Sequence, residues 1–215
     1  MDFDGSKQAA LLYWRMAKEP SFTDKTDLLE KLFGHIGTDK RYVCLSCSES
    51  EIPELSPMLI SFLDDGCDMS DIFGSLRVAK SPSWLLHLHK HRVISIDMQK
   101  WLDCSNNNVK KWLGEIEQEL GFSDPVDKPV TVNMRRWTEK TGERFVFILN
   151  HWDSVFQMPF MEGEKPKKEY MRFLDVLFWN QNFCEMALLI GNKPTTDYAI
   201  APLLSMFTNL KWPDR

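Results

Sequence analysis

The sequence contains no apolar run approaching the roughly 20 residues that a membrane-spanning helix needs. Nor is Met1-Asp2-Phe3-Asp4 the basic, then apolar, start of a secretory leader. These two absences predict a cytoplasmic protein with no membrane contact. Cysteine is sparse and odd in number, five in 215 residues, with no framework spacing, so the thiols read as reduced. The chain needs no disulfide or metal, because a chain of about this length buries roughly 70% of its unfolded surface. A basic excess is missing as well. Lys and Arg total 26 against 31 Asp and Glu, a net charge of −5, which argues against a generally basic nucleic-acid binder. There is no internal repeat and no low-complexity tract.

What is present is a globular balance, 43% hydrophobic and 27% charged, with an excess of tryptophan at eight residues. Some of these belong in a core, but Trp is also enriched where proteins bind proteins. The charge is unevenly spread. Between Tyr42 and Leu76 stand Glu49, Glu51, Glu54, Asp64, Asp65, Asp68 and Asp71, with no Lys or Arg. That stretch carries −7 of the net −5, leaving +2 for the rest of the chain. Such a run is either a solvated face or an acidic patch that meets a basic partner.

Along the chain, apolar spacing predicts helices over Gln8–Ala17, from Asp27 to Ile36, over Glu54–Leu63, from Val109 to Leu120, and around Tyr170–Phe178. Thr26-Asp27 with Glu30 suggests a capping box at the second of these. Short strands are predicted at Arg41–Ser46, Val93–Asp97, Phe145–Leu149 and Met186–Ile190. The unbroken apolar run Phe145–Leu149 suits a strand buried on both faces of a parallel sheet. Asp124–Thr131 and Met158–Lys168 read as loops. Strands alternating with helices indicate an α/β domain.

The order of these pieces resembles a bacterial AAA-ATPase-like family, whose P-loop domain is often fused to a PD-(D/E)XK-type nuclease domain. The stretches that carry the resemblance are Phe22–Leu28, Gly37–Cys44, Val93–Gln99, Thr141–Ile148 and Ser205–Thr208. The resemblance implies a three-layer α/β sandwich with a central, mainly parallel sheet, here one truncated domain over residues 1–215 with no room for the nuclease. Family members follow the first strand with a Gly-Lys-Ser/Thr loop. Its backbone N–H groups, lysine and hydroxyl hold the phosphates and Mg²⁺. This chain has Ser46-Cys47-Ser48-Glu49-Ser50-Glu51-Ile52-Pro53-Glu54 instead, with no glycine or lysine. After the central strand the family has Asp-Glu, and this chain has Asn150-His151. An Asn lacks the charge that Mg²⁺ draws from a carboxylate. The implied state is a pseudo-ATPase with no cofactor.

Other chemistry-bearing residues have bland alternatives. Cys44-x-x-Cys47 is a redox or zinc pair only if both thiols leave the strand; Cys44 reads as buried within it. His87-x-His89-x-His91 is either a metal trio or the basic end of a short helix, where imidazoles suit the C-terminal dipole. Asp97, His151 and Asp153 are expected to gather at the carboxyl edge of the sheet, as a vestige or as acid–base machinery. Trp112 and Trp179 read as core; Trp101, Trp137 and Trp212 read as surface contacts. The leading expectation is a non-catalytic protein-interaction module, an acidic inhibitor or immunity-type factor. Its partner would be a nuclease or other nucleic-acid-binding protein, a CRISPR-type defence nuclease among them. The partner-facing residues would be Glu49, Glu51, Glu54, Asp64, Asp65, Asp68, Trp101 and Trp137. The alternatives are a residual nucleotide-binding regulator and an enzyme that repurposes His151 and Asp153.

Overall fold

A computed structural model describes residues 4–99, 130–179, 181–198 and 201–212. Its frame is a five-stranded, all-parallel sheet. The strands are β1 (Tyr42–Ser46), β2 (Arg92–Asp97), β3 (Phe145–Asn150), β4 (Cys184–Gly191) and β5 (Thr208–Lys211), in spatial order β2-β3-β4-β1-β5. The helices are α1 (Asp4–Ala17), α2 (Asp27–Phe33), α3 (Ile52–Leu63), the single turns α4 (Ser70–Phe73) and α5 (Trp84–His87), α6 (Val130–Thr141) and α7 (Glu164–Phe178). Among the described residues no helix is long and apolar enough to cross a membrane.

The pleat explains why the three central strands read as continuous apolar runs. Successive side chains face opposite sides, so Val43, Leu45, Val146, Ile148, Met186, Leu188 and Ile190 join one core. That core is closed by Tyr13 of α1, Leu28, Leu29 and Leu32 of α2, and Leu55, Leu59 and Phe62 of α3. Tyr42, Cys44, Phe145, Phe147, Leu149, Ala187 and Leu189 point the other way, onto Met134 of α6 and Tyr170, Leu174, Leu177 and Phe178 of α7. Two cores on one sheet make the three-layer α/β sandwich that the alternation of strands and helices predicts. All four predicted strands are present within two residues of their predicted ends.

Several local expectations are corrected. Thr26 does not cap α2 with its side chain; its hydroxyl instead donates to Asp24 Oδ1 at 2.6 Å and accepts the Val78 N–H at 3.1 Å. α7 begins at Glu164, inside the stretch read as a loop, because Pro166 in a first turn removes an N–H that has no helical partner anyway. α6 likewise starts inside the stretch read as the loop Asp124–Thr131. Trp179 is not core: it follows the last turn of α7 and is 41% exposed. Trp212 is not a surface residue either, being 4% exposed against the α1–α3 layer. The predicted helix Val109–Leu120, with Trp101 and Trp112, lies outside the described residues.

Candidate functional site

Parallel strands deliver their carboxyl ends to one edge, and open α/β sheets place ligands there. At this edge β1 runs through Cys47 into a short 3-10 turn, Glu49–Glu51, and then α3. The Cys47 N–H donates to the Gly191 carbonyl at 2.9 Å, tying the turn to the end of β4. Glu51 is the residue that fixes the turn. Its Oε1 accepts the Trp212 indole N–H at 3.0 Å and lies 3.4 Å from the Lys25 ammonium. Lys25, itself buried, reaches Glu54 at 2.6 Å. Glu49 accepts from the Gln99 side chain at 2.8 Å, and Ser48 donates to Glu51 at 3.3 Å. A loop that would cradle phosphate turns N–H groups and a lysine toward the ligand. Here the lysine comes from another segment and is bound to the loop's own carboxylates.

Across the edge, the end of β2 meets the end of β3. Asp97 Oδ1 lies 2.8 Å from His151 Nδ1, which fixes the imidazole with its Nδ1–H toward the carboxylate. His151 has φ +55°, a left-handed backbone unusual for a residue with a Cβ. Beside it the Asn150 amide donates to Ser56 Oγ at 2.8 Å, while its buried Oδ1 has no partner among the described residues. Asp153 does not join the pair. It is fully buried and accepts from the backbone N–H groups of Asn192, at 3.1 and 3.2 Å, and Lys193, at 3.0 Å. Burial pushes its carboxyl pKa up against those N–H bonds. The trio Asp97, His151 and Asp153 is therefore a pair plus a loop anchor. Among the described residues no group of three or more His, Cys, Asp or Glu side chains is placed to hold a metal ion.

Two of the solved structures that resemble this chain illustrate the likeness. One is the Aeropyrum pernix ORC2 protein in ADPNP-ADP complexes, with 12% identity over 98% of this chain and 47% of that one, at a TM-score of 0.44. The other is Cdc6p from Pyrobaculum aerophilum, with 10% identity over 90% of this chain and 48% of that one, at a TM-score of 0.46. The chain thus spans about half the length of each. No protein-family model matches it, and no curated protein does.

The acidic segment does not form one surface. Asp64, predicted to face a partner, is 5% exposed and turned inward. Its two oxygens accept the Gly66 N–H at 2.8 Å and the Val93 N–H at 2.9 Å, clasping the end of α3 to the start of β2. Glu51 is likewise committed inside, to Lys25 and Trp212. Glu49, Glu54, Asp65, Asp68 and Asp71 remain exposed; Asp68 accepts the local Ser70 N–H and hydroxyl and lies 3.8 Å from His89 Nδ1. Trp137 is half-buried, donates to Glu143 at 3.0 Å and lies under the Arg92 guanidinium at 5.1 Å, so little of it is free for a partner.

The histidine trio splits too. His87 Nδ1 and His91 Nε2 are 3.1 Å apart, and His91 Nδ1 is 3.0 Å from Glu185. His89, with φ +53°, turns away and accepts the Met69 N–H at 3.2 Å. His87 ends the short helix α5, as its run of neighbours suggested. Cys44 lies within β1 and Cys47 just beyond it; both are buried, and burial is the main reason their thiols are pushed up to about 12. A redox pair needs the opposite shift.

Sequence reasoning missed Lys25, whose role depends on a fold that brings the α1–α2 connection against α3. It also missed a cleft there, about 400 Å³, between α1, that connection and the start of α3. The only signal was a lone lysine in a segment otherwise read as a helix entry.

Proposed function

We propose that the chain is a non-catalytic protein-interaction module on an AAA-like α/β sandwich, an acidic factor that binds a basic protein surface. The observation that supports it best is the β1–α3 turn, where Glu51 is held on Lys25 and Trp212. Carboxylates occupy the place where a triphosphate requires positive charge, and the N-terminal dipole of α3 supplies only about half a unit charge in compensation. The exposed acids Glu49, Glu54, Asp65, Asp68 and Asp71 supply the complementary charge for a basic partner. A nuclease or other nucleic-acid enzyme carries such a surface because it must neutralise phosphates. An inhibitor or immunity-type role, with a CRISPR-type defence nuclease as the specific case, follows from that match of charge.

Calorimetry and thermal shift with Mg²⁺-ATP test the reading. Ligand at about 100 times its dissociation constant would stabilise the fold by about 2.7 kcal/mol. The expected result at millimolar ATP is no heat and no shift. An ATP-dependent rise in Tm would refute the reading, and its loss in Lys25→Met would place the nucleotide at this turn. A second reading, an enzyme, is favoured by the Asp97–His151 pair. There Nε2 of a carboxylate-oriented imidazole makes no hydrogen bond among the described residues, the arrangement of a general base. An activity lost in both His151→Ala and Asp97→Asn would favour it.

A further inference from the structure

The cleft beside the β1–α3 turn has an apolar floor and a charged rim. Tyr13, Met58 and Lys25 are buried in it, Met16 and Phe22 are half-buried, and Glu19 and Glu54 stand exposed at its mouth. The Tyr13 and Phe22 rings meet edge to face, centroids 6.2 Å apart. Two features of this wall are unbalanced. The Tyr13 hydroxyl is shut off from solvent and has no hydrogen-bond partner among the described residues, so the floor offers an occupant no polar contact there. And one ammonium, Lys25, shares the lining with two carboxylates, Glu19 and Glu54, and is already bound to Glu54 and, outside the cleft, to Glu51. An anion entering here would meet a net negative wall whose single cation is taken. A cation on an apolar stem would meet carboxylates, aromatic rings and methionine thioethers.

We propose that this cleft receives an arginine side chain of the basic protein partner. The assignment rests on the protein-binding reading above and locates its anchor. Guanidinium fits better than ammonium for three reasons: it is weakly hydrated, stacks on aromatic rings, and forms paired hydrogen bonds to a carboxylate. Its aliphatic stem covers Met16 and Met58, and its head lies between the Phe22 ring and the free oxygens of Glu19 and Glu54. An arginine seated in a pocket with a polar rim is also a common anchor of protein interfaces.

The test uses the full chain with methyl-labelled methionine and Nα-acetyl-arginine amide as the probe, read by NMR. The Met16 and Met58 methyl signals should move along a saturable curve with a dissociation constant in the range of about 1–10 mM, as suits a single side chain. The citrulline amide, with the same shape and no charge, should bind about tenfold more weakly or not at all. Glu19→Gln, a change at an exposed position, should weaken the arginine amide about threefold. Equal binding of the citrulline amide, or no movement of either methionine signal, would overturn the assignment. So would agmatine binding a hundredfold more tightly than the amide, which would make the cleft a site for a free small molecule. A separate arm uses polyarginine. If polyarginine binds and the Glu49→Lys/Asp65→Lys/Asp68→Lys variant abolishes this while Glu19→Gln leaves it intact, the cleft assignment fails and the acidic-surface reading survives. If polyarginine does not bind at all, both fail.

Discussion

Asp64 and Asp65 are adjacent and chemically identical, yet the structure gives them opposite roles. Asp64 is buried and accepts the Gly66 and Val93 N–H groups; Asp65 is exposed. Asp64→Ala leaves two donors without partners, and the one on Val93 has no access to water. The stranded, buried Val93 donor costs about 1–3 kcal/mol, whereas the Gly66 N–H is on an exposed residue and turns to water, so the substitution should cost about 2 kcal/mol. That is a large part of the 5–15 kcal/mol typical of a folded domain. Asp65→Ala should lie within about 0.5 kcal/mol of the parent. In urea, with a slope of about 2.5 kcal/mol per molar for a chain of this size, the Asp64→Ala midpoint should fall by about 0.8 M at unchanged slope. Asp64→Asn should fall between the two, because an amide keeps one acceptor and turns an NH₂ group on the other N–H. Midpoints for Asp64→Ala and Asp65→Ala within about 0.4 M of each other would refute the clasp and return Asp64 to the solvated acids.

Gly191→Ala should destabilise by about 1–3 kcal/mol, since its new Cβ would run into the Asp153 carboxylate and come 2.8 Å from the Trp152 ring; an unchanged thermal midpoint would mean that the Asp153 anchor yields freely. His87 is held below its usual pKa by burial first and then by the charge of His91, against the pull of Glu185. A depressed base makes the unfolded chain take up the proton first, so stability from this group is complete above about pH 6.5 and lost as pH falls toward the folded value. His87→Phe keeps the stacking on Phe33, whose ring centroid is 4.6 Å away, and should flatten the stability profile below about pH 6.5. Parallel acid profiles for variant and parent would discard this account.

β1, β3 and β4 were legible because each is apolar on both faces, and β2 because Val93, Ile94 and Ile96 make a short β-branched run although Ser95 is exposed, patterns that need no knowledge of partners. β5 was not, since Thr208–Lys211 is a polar edge strand with contacts on one side only, and its sequence reads as a loop. The same limit governs the site. The Asp97–His151 pairing followed from both residues lying at carboxyl ends of neighbouring strands. The division of seven similar acids into clasp, loop lock and open surface could not be read, because it is set by Val93 and Lys25, far away in sequence. Tryptophan misled for the same reason: Trp212 is buried because its N–H finds Glu51, whereas Trp179 lies past the last turn of α7, where no layer covers it.

The strand order also dictates when the protein can fold during synthesis. β1 lies between β4 and β5, with Tyr42 beside Ala187 and Val43 beside Thr208, so neither neighbour exists when β1 leaves the ribosome. At about 5–20 residues per second, it waits roughly 7–30 s for β4. During that interval Val43, Cys44 and Leu45, all fully buried in the finished fold, have only the α1–α3 segment to shelter them. β2 and β3 meet earlier but cannot complete the sheet alone. A topology that closes on its first strand last has long loops to pay for before its best contacts form, which slows folding. The nascent chain therefore carries β1 unpaired until β4 and β5 are made, which leaves that strand the segment most open to mispairing during synthesis.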